Sequence, residues 1–179
     1  MLSVNFKGLE IIPLTRDYYL QYINEITDFD CGNEAINMYF RDEAYYERLN
    51  FSENTSLILE GGELVGYFTL TEGGIEFPDV EVKSLEVLML ARSIEHRGKE
   101  IGVRMLEYIE HLATATCIRY ISLDAVADKL TWYENEGFQR VSIEEIEEGS
   151  PFYFMFKDLH NEVWMNEYME KRGDFSDIR

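Results

Sequence analysis

A mixed chain with one central sheet, α/β or α+β in class, is what the sequence predicts. Three observations carry it. Apolar runs of strand length come first and are joined as hairpins. One longer apolar strand, Ser84 to Ala91, then passes through a polar, glycine-bearing turn into a helix with apolar residues at helical spacing. Finally, the chain has only 3 prolines in 179 residues and no Ser- or Gly-rich linker, so nothing divides it into two domains.

The elements follow in order. Leu9 to Leu14 is a first short strand, and Thr15 or Asp17 can cap a helix running through Tyr18, Leu20, Tyr22 and Ile23. Residues 28–33 make a turn, after which Ile36, Tyr39, Phe40 and Ala44 share a helical face. Thr55 to Glu60 and Leu64 to Leu70 form a hairpin about Gly61-Gly62. The largely apolar strand 84–91 has the composition of a central strand covered on both faces. The turn 95–102 leads into a helix carrying Met105, Leu106, Ile109, Leu112 and Ala113. Arg119 to Leu123 is a strand, Asp128 to Asn135 a short helix ended by Gly137, and Phe138 to Ile143 and Pro151 to Phe156 two final strands. Residues 160–179 are a polar C-terminal tail to a single domain spanning 1–179.

Composition narrows the function. There are 35 acidic and 16 basic residues, a net charge of −19, which argues against a nucleic-acid partner and suits a cationic one. Two cysteines, Cys31 in a turn and Cys117 before a strand and expected to be buried, are too few for a disulfide scaffold or a cysteine zinc site. His96, His111 and His160 show no metal-ligand spacing, so no metal is expected. With no membrane-length apolar run and no signal-like start, a cytoplasmic protein is expected.

The turn into the helix from residue 101 offers unpaired N–H groups and the positive end of a helix dipole, to which an anionic phosphate is suited. Spacing alone leaves an ordinary tight loop open. The segment Arg97-Gly98-Lys99-Glu100-Ile101-Gly102, preceded by Leu90-Ala91-Arg92, resembles the Arg/Gln-x-x-Gly-x-Gly/Ala pyrophosphate loop of the GNAT N-acetyltransferase superfamily. One strand–helix–strand unit later, Trp132-Tyr133-Glu134-Asn135-Glu136-Gly137-Phe138 is similar to that superfamily's aromatic-Tyr-Glu-x-x-Gly-Phe ending. The resemblance covers roughly Leu9 to Leu159. It implies the GNAT acyl-CoA N-acyltransferase fold, a mostly antiparallel sheet of about six or seven strands, the fourth and fifth splayed, with about four helices. It also implies acetyl-CoA as donor. The pantetheine arm would lie between the strand ending Leu90-Ala91-Arg92 and the strand Arg119–Leu123, with the diphosphate on Arg97, Gly98, Lys99, Glu100, Ile101 and Gly102.

Glu100 departs from the pattern, standing where the motif has its first glycine. Either its carboxylate opposes the diphosphate, or it points to water and lends only its N–H. Lys99 and Arg104 offer compensating positive charge, or form a solvated helix start. The resemblance gives Tyr133 the role of protonating the departing thiolate. Glu86, a lone carboxylate in an apolar strand, is the candidate base if partly buried, and a solvent-facing strand residue otherwise. Asp124 is a weaker alternative base.

The acceptor is expected to be a cationic primary amine: a small molecule, a lysine side chain or a protein N-terminus. A second function comes from the Phe29-x-Cys31-Gly32-Asn33-x-x-Ile36-Asn37-x-Tyr39-Phe40 segment. It resembles the branch that includes toxins acetylating aminoacyl-tRNA, which are encoded with an antitoxin. The charge of that region, Glu34, Asp42, Glu43 and Glu47 against Arg41 and Arg48, ranks the toxin reading second. A third is a degenerate CoA-binding or interaction protein, with Glu144 to Glu148 as a docking strip. The aromatic Phe152–Phe156 strand and the tail would permit a homodimer.

Overall fold

The computed structural model describes residues 3–50, 53–77, 80–140 and 152–160. The strands are β1 (Val4–Phe6), β2 (Leu9–Pro13), β3 (Asn54–Glu60), β4 (Glu63–Phe77), β5 (Val80–Arg92), β6 (Tyr120–Val126), β7 (Gln139–Arg140) and β8 (Phe152–Asp158). They form one sheet in the order β1-β2-β3-β4-β5-β6-β8-β7. Every neighbouring pair is antiparallel except β5–β6. The sheet is mixed and mostly antiparallel as expected, but among the described residues it has eight strands rather than six or seven.

Among the described residues the helices are α1 (Arg16–Gln21), α2 (Ile23–Asp28), α3 (Glu34–Met38), α4 (Ala44–Leu49), α5 (Ile101–Ala115) and α6 (Leu130–Asn135), more than the four expected because the N-terminal layer is built of short pieces. A π turn over Tyr39–Glu43 joins α3 to α4. Thr15 caps α1, its hydroxyl accepting from the Tyr18 N–H, as its position before an apolar-periodic run implies.

Two apolar layers flank the sheet. On one face α5 buries Ile101, Met105, Leu106, Ile109 and Ala113 against Phe68, Val87, Ile121, Leu123 and Met155. Each of these side chains larger than alanine stabilises the fold by about 1.5–3 kcal/mol. On the other face the α1–α4 layer packs Tyr18, Ile26, Phe29, Tyr39 and Phe40 against Leu57, Leu59, Tyr67 and Ala91. Phe40 stacks on Tyr67 at 3.8 Å between centroids, and Phe29 meets both rings edge-on. Lys157, only 2 % exposed, ties the α5 side together: its ammonium donates to Glu110 Oε1 and to the Glu136 carbonyl at the end of α6, both at 2.7 Å.

Several expectations are corrected. β1 was not expected; it is three residues long and pairs with β2 through the Lys7-Gly8 turn, where both φ angles are positive. The hairpin strand continues beyond Leu70 to Phe77, and the apolar strand begins at Val80 rather than Ser84. Residues 71–77 and 80–83 thus form a two-stranded ribbon extending past β3. Cys117 is exposed, not buried. It occupies the left-handed position (φ +59°) after α5, its N–H donating to Thr114 O and that of Ile118 to Ala113 O. This is the paired-bond ending usually given to glycine, and its geometry turns the side chain to solvent. Ile143, Glu144 to Glu148, Pro151 and the tail from 161 lie outside the described residues.

Candidate active site

β5 and β6 pair in parallel only from Ser84 with Tyr120 to Val87 with Leu123. Beyond that rung β5 runs on against β4 to Arg92, while β6 runs on against β8 to Val126. The facing edges of residues 88–92 and 124–126 therefore enclose a wedge whose backbone groups are unpaired in the sheet. An extended chain carrying amide groups can pair with such an edge. β5 is accordingly not the doubly covered strand expected: Leu88, Met89 and Leu90 are all half-exposed. Leu88 is also a β-bulge, since Thr69 pairs with Met89 and Leu70 with Val87.

The wedge opens toward the start of α5. Ser93 caps the short 3-10 turn Ile94–His96, and the chain then passes Gly98 (φ +83°) and Glu100 (φ +54°) into the helix. Glu100 is the N-cap residue but gives no side-chain cap, and the first helical bond runs from Arg104 N–H to Glu100 O. The N–H groups of Ile101, Gly102 and Val103 are thus the free donors of a 15-residue helix. Space around Gly98 is open. At the end of β5, the Nη1 of Arg92 is buried with no hydrogen-bond partner among the described residues. A guanidinium nitrogen left without a partner and uncapped helix donors each suit an anionic diphosphate.

Glu100 stands in the left-handed region, which explains the motif's glycine at this place in backbone terms: a side chain there is strained by about 1 kcal/mol. Its side chain is exposed. Glu100→Gly is expected to raise stability by about 1 kcal/mol, seen as a melting temperature higher by about 2–4 °C. Acetyl-CoA affinity should rise as well if the carboxylate opposes the diphosphate, which calorimetry would register. Gly102 serves packing: a Cβ there would lie 3.3 Å from the Trp132 ring, so the glycine lets α6 seat on the first turn of α5. Arg97 is exposed, its guanidinium beside Gly32. Lys99 and Arg104 are both drawn to Glu60, at 3.5 and 2.8 Å. Arg104 also donates to Lys99 O and Lys7 O, bracing the turn from behind.

Tyr133 is held by the geometry that the Gly-Phe ending encodes. Gly137 (φ +87°) follows α6, its N–H bonded to Glu134 O and that of Phe138 to Tyr133 O. Phe138 thereby returns onto the Tyr133 ring at 5.5 Å, while Trp132 packs on it at 4.7 Å. Burial among these rings pushes the phenol up to about 12. Its hydroxyl has no hydrogen-bond partner among the described residues.

Glu86 lies on the opposite face of the sheet from Tyr133, one rung before the wedge opens. Ser84 and Ser122, which share that face, are joined by a buried hydroxyl pair at 2.8 Å. Glu86 is half-buried, and desolvation, with the charge of Asp124 on the neighbouring strand, raises its carboxyl above the ordinary carboxylate range. Gly73 makes its place: a Cβ at 73 would stand 2.7 Å from Glu86 Oε2 and 2.8 Å from its Cβ. Gly73 escapes a sequence reading because Gly73-Gly74 looks like a turn; glycine inside a strand marking a close approach is the signal that could have found it. Gly73→Ala is expected to lower kcat/KM about tenfold by displacing Glu86, with acetyl-CoA affinity unchanged, as steady-state kinetics would read.

The Cys-Gly-Asn segment is a structural device. Asn33 caps α3 through the N–H groups of Ala35 and Ile36, and buried Asn37 accepts from Cys31 N–H and donates to Asp30. Hydrogen bonds donated by Gly32 N–H, the larger effect, and by Asn37 hold the Asp30 carboxyl below its usual range. The layer also brings Tyr39 over β3 and β4, its hydroxyl donating to Glu53 and its ionisation suppressed mainly by burial. Among the described residues no group of three or more His, Cys, Asp or Glu could hold a metal ion, and no helix is long and apolar enough to cross a membrane.

The sequence model of the family described as "Acetyltransferase (GNAT) domain" matches residues 22–159. No curated protein matches the sequence. Among solved structures, a mutant of KacT is similar with a TM-score of 0.70 at 17% identity, covering 91% of this chain and 100% of that one. A mutant of the toxin AtaT, bound to acetyl-CoA and the C-terminus of the antitoxin AtaR, gives 0.68 at 18% identity over 86% and 94%. AtaT complexed with acetyl-methionyl-tRNA gives 0.62 at 21% over 82% and 93%.

Proposed function

Because the chain belongs to the GNAT acetyltransferase family, we propose that it transfers the acetyl group of acetyl-CoA to a cationic primary amine by direct attack. The observation that carries this reading is the β5–β6 wedge, with uncapped helix donors at its open end and the Glu86–Asp124 carboxylates at its closed end. Acetyl-CoA, when bound, supplies an activated thioester; its binding by the similar AtaT structure supports it as donor.

The residues divide the remaining work. The N–H groups of residues 101–103, the turn from Arg97 to Gly102 and the orphaned Arg92 nitrogen hold the diphosphate. Leu90, Ala91 and Arg92 offer backbone groups to the amide-bearing arm. An ammonium arriving at Glu86 is desolvated beside two carboxylates and gives up one proton, becoming a nucleophile. The C–N bond forms as the C–S bond breaks, the sulfur leaves with the bonding pair, and the Tyr133 hydroxyl faces that charge. In balance, R–NH3+ and the thioester give amide, free thiol and one proton.

The sign of the pH dependence follows from Glu86. Its raised pKa means that the carboxylate is lost as pH falls through a value above the usual carboxylate range, so kcat/KM should decline on that acid side. Glu86→Gln is expected to lower kcat/KM about tenfold and to flatten that limb, because water then takes the proton less efficiently. A pH-independent loss would make Glu86 a binding group.

The experiment for the function as a whole is calorimetric titration with acetyl-CoA followed by a thiol-release assay over primary amines. Saturable binding and amine-dependent thiol release are expected; no binding at millimolar ligand would sink the reading. A second reading, acetylation of an aminoacyl-tRNA, is favoured by the likeness to AtaT complexed with acetyl-methionyl-tRNA. The net charge of −19 and the capture of Arg41 by Glu34 and Asp42 weigh against it. Acetylated aminoacyl-tRNA in a parallel assay, with free amines untouched, would promote it.

A further inference from the structure

On the Glu86 face of the sheet, just below the closed end of the wedge, three aromatic rings meet. Phe77 reaches over from the tip of the β4–β5 ribbon to Tyr120 on β6 and Phe156 on β8, with centroids 5.9 and 5.7 Å away, and Tyr120 and Phe156 are 6.4 Å apart. All three are half-exposed, although the sheet beneath them, Ser84 and Ser122, is fully buried. Their register ties them to Glu86: that residue pairs with Ser122, and Ser122 with Phe156, which puts Phe156 two strand spacings, about 10 Å, across the sheet. Tyr120 pairs with Ser84, one same-face step, about 7 Å, along β5 from Glu86. An amine held at Glu86 would lay the rest of its structure over these rings.

We propose that Phe77, Tyr120 and Phe156 determine acceptor specificity, and that the acceptor is a primary amine bearing an aromatic or bulky apolar group a few bonds from the nitrogen. This rests on the acetyl-transfer reading. The triad's geometry selects the apolar group over a second cation. Phe77 and Phe156 stand at 85° and Tyr120 and Phe156 at 62°, so the cluster presents mixed edges and faces, to which a further ring adds edge-to-face. The Tyr120 ring already carries the Arg119 guanidinium at 5.0 Å, and that cation is fixed in place by a bidentate pair with Asp158. A polyamine therefore finds one good cation site, at Glu86, and a poor second one.

The test compares kcat/KM for phenethylamine and tyramine with that for putrescine and spermidine, using the full chain and acetyl-CoA. The aryl amines are expected to exceed the diamine and polyamine by about tenfold or more. Phe77→Ser and Phe156→Ser should each bring that ratio within about twofold, while Phe156→Tyr retains it and calorimetric acetyl-CoA affinity stays constant in all three as the control on folding. Equal or faster acetylation of putrescine, or a ratio indifferent to the serine substitutions, would overturn the proposal and leave acetyl transfer standing. Binding of acetyl-CoA with no amine of either kind acetylated would remove the acetyl-transfer reading and this proposal together.

Discussion

Tyr133→Phe is expected to lower kcat about 100-fold and to leave acetyl-CoA affinity within about twofold. Phenylalanine preserves the ring that Trp132 and Phe138 enclose, so packing of α6 survives and only the hydroxyl is lost. With its pKa near 12, that hydroxyl stays protonated through the whole range in which amines are acetylated. On the proposed reading, a thiolate whose thiol titrates at about 8.5 is a weaker base than the phenolate, so the phenol would stabilise the departing sulfur mainly by donating a hydrogen bond, with the proton made good from the attacking nitrogen. Two readouts check this. Pre-steady-state thiol release should slow with kcat, and the wild-type profile should show no alkaline decline from Tyr133 below about pH 11. An unchanged kcat in the variant would exclude the hydroxyl from the reaction.

The second large effect is structural and reaches the site from behind. Lys157→Met is expected to cost about 3–5 kcal/mol, lowering the melting temperature by roughly 10 °C. Methionine fills most of the volume, so the loss reports charge: Glu110, with 17% side-chain exposure, is stranded, and the Glu136 carbonyl at the end of α6 loses its donor. Adding Glu110→Gln should recover about half of the loss, since a neutral amide is easier to bury than an unpaired carboxylate. Because Glu136 ends the helix that carries Tyr133, kcat should fall in Lys157→Met even at temperatures where the chain is folded. A variant that melts as the wild type does would show that hydration, not Lys157, satisfies Glu110.

The elements legible in the sequence are those in which a local rule and the tertiary outcome agree. Thr15 caps a helix, Gly61-Gly62 closes a hairpin, and the strand–turn–helix from 85 to 113 has its apolar residues at the right periods. What was not legible depends on contacts between distant residues. Val4–Phe6 is too short to show alternation, and becomes a strand because β2 offers it an edge. The ribbon was hidden by Gly73 and Gly74, which look like turn residues but stand inside β4 where the side chains of Glu86 and Glu81 press close. The same holds at the site. Motif and isolation single out Tyr133 and Glu86 in the sequence as candidates, whereas the contact of Gly73 with Glu86, and the diversion of Lys99 and Arg104 to Glu60, follow from how four strands and a helix end come together.

The bulge at Leu88 has a consequence for how such a strand can change over time. Side chains along a strand alternate, so in an unbroken ladder, with Leu88 paired rather than bulged, Glu86 and Ala91 would point to opposite faces. With the bulge, Glu86 shares a face with Met89 and Ala91, which pack beneath the N-terminal helices, while Val87 and Leu90 both face α5. Leu88 is in effect a frameshift in three dimensions. Flattening the bulge, with Leu88 drawn into the ladder, would leave the translated order of every residue intact and yet turn one half of β5 inside out, exchanging the lining of the Glu86 face for that of the α5 face. Loss of Leu88 would instead keep every remaining side chain on its face and remove only the local bend, so this one position can be dropped without rewriting either half of β5 but cannot be absorbed into the ladder without rewriting one of them.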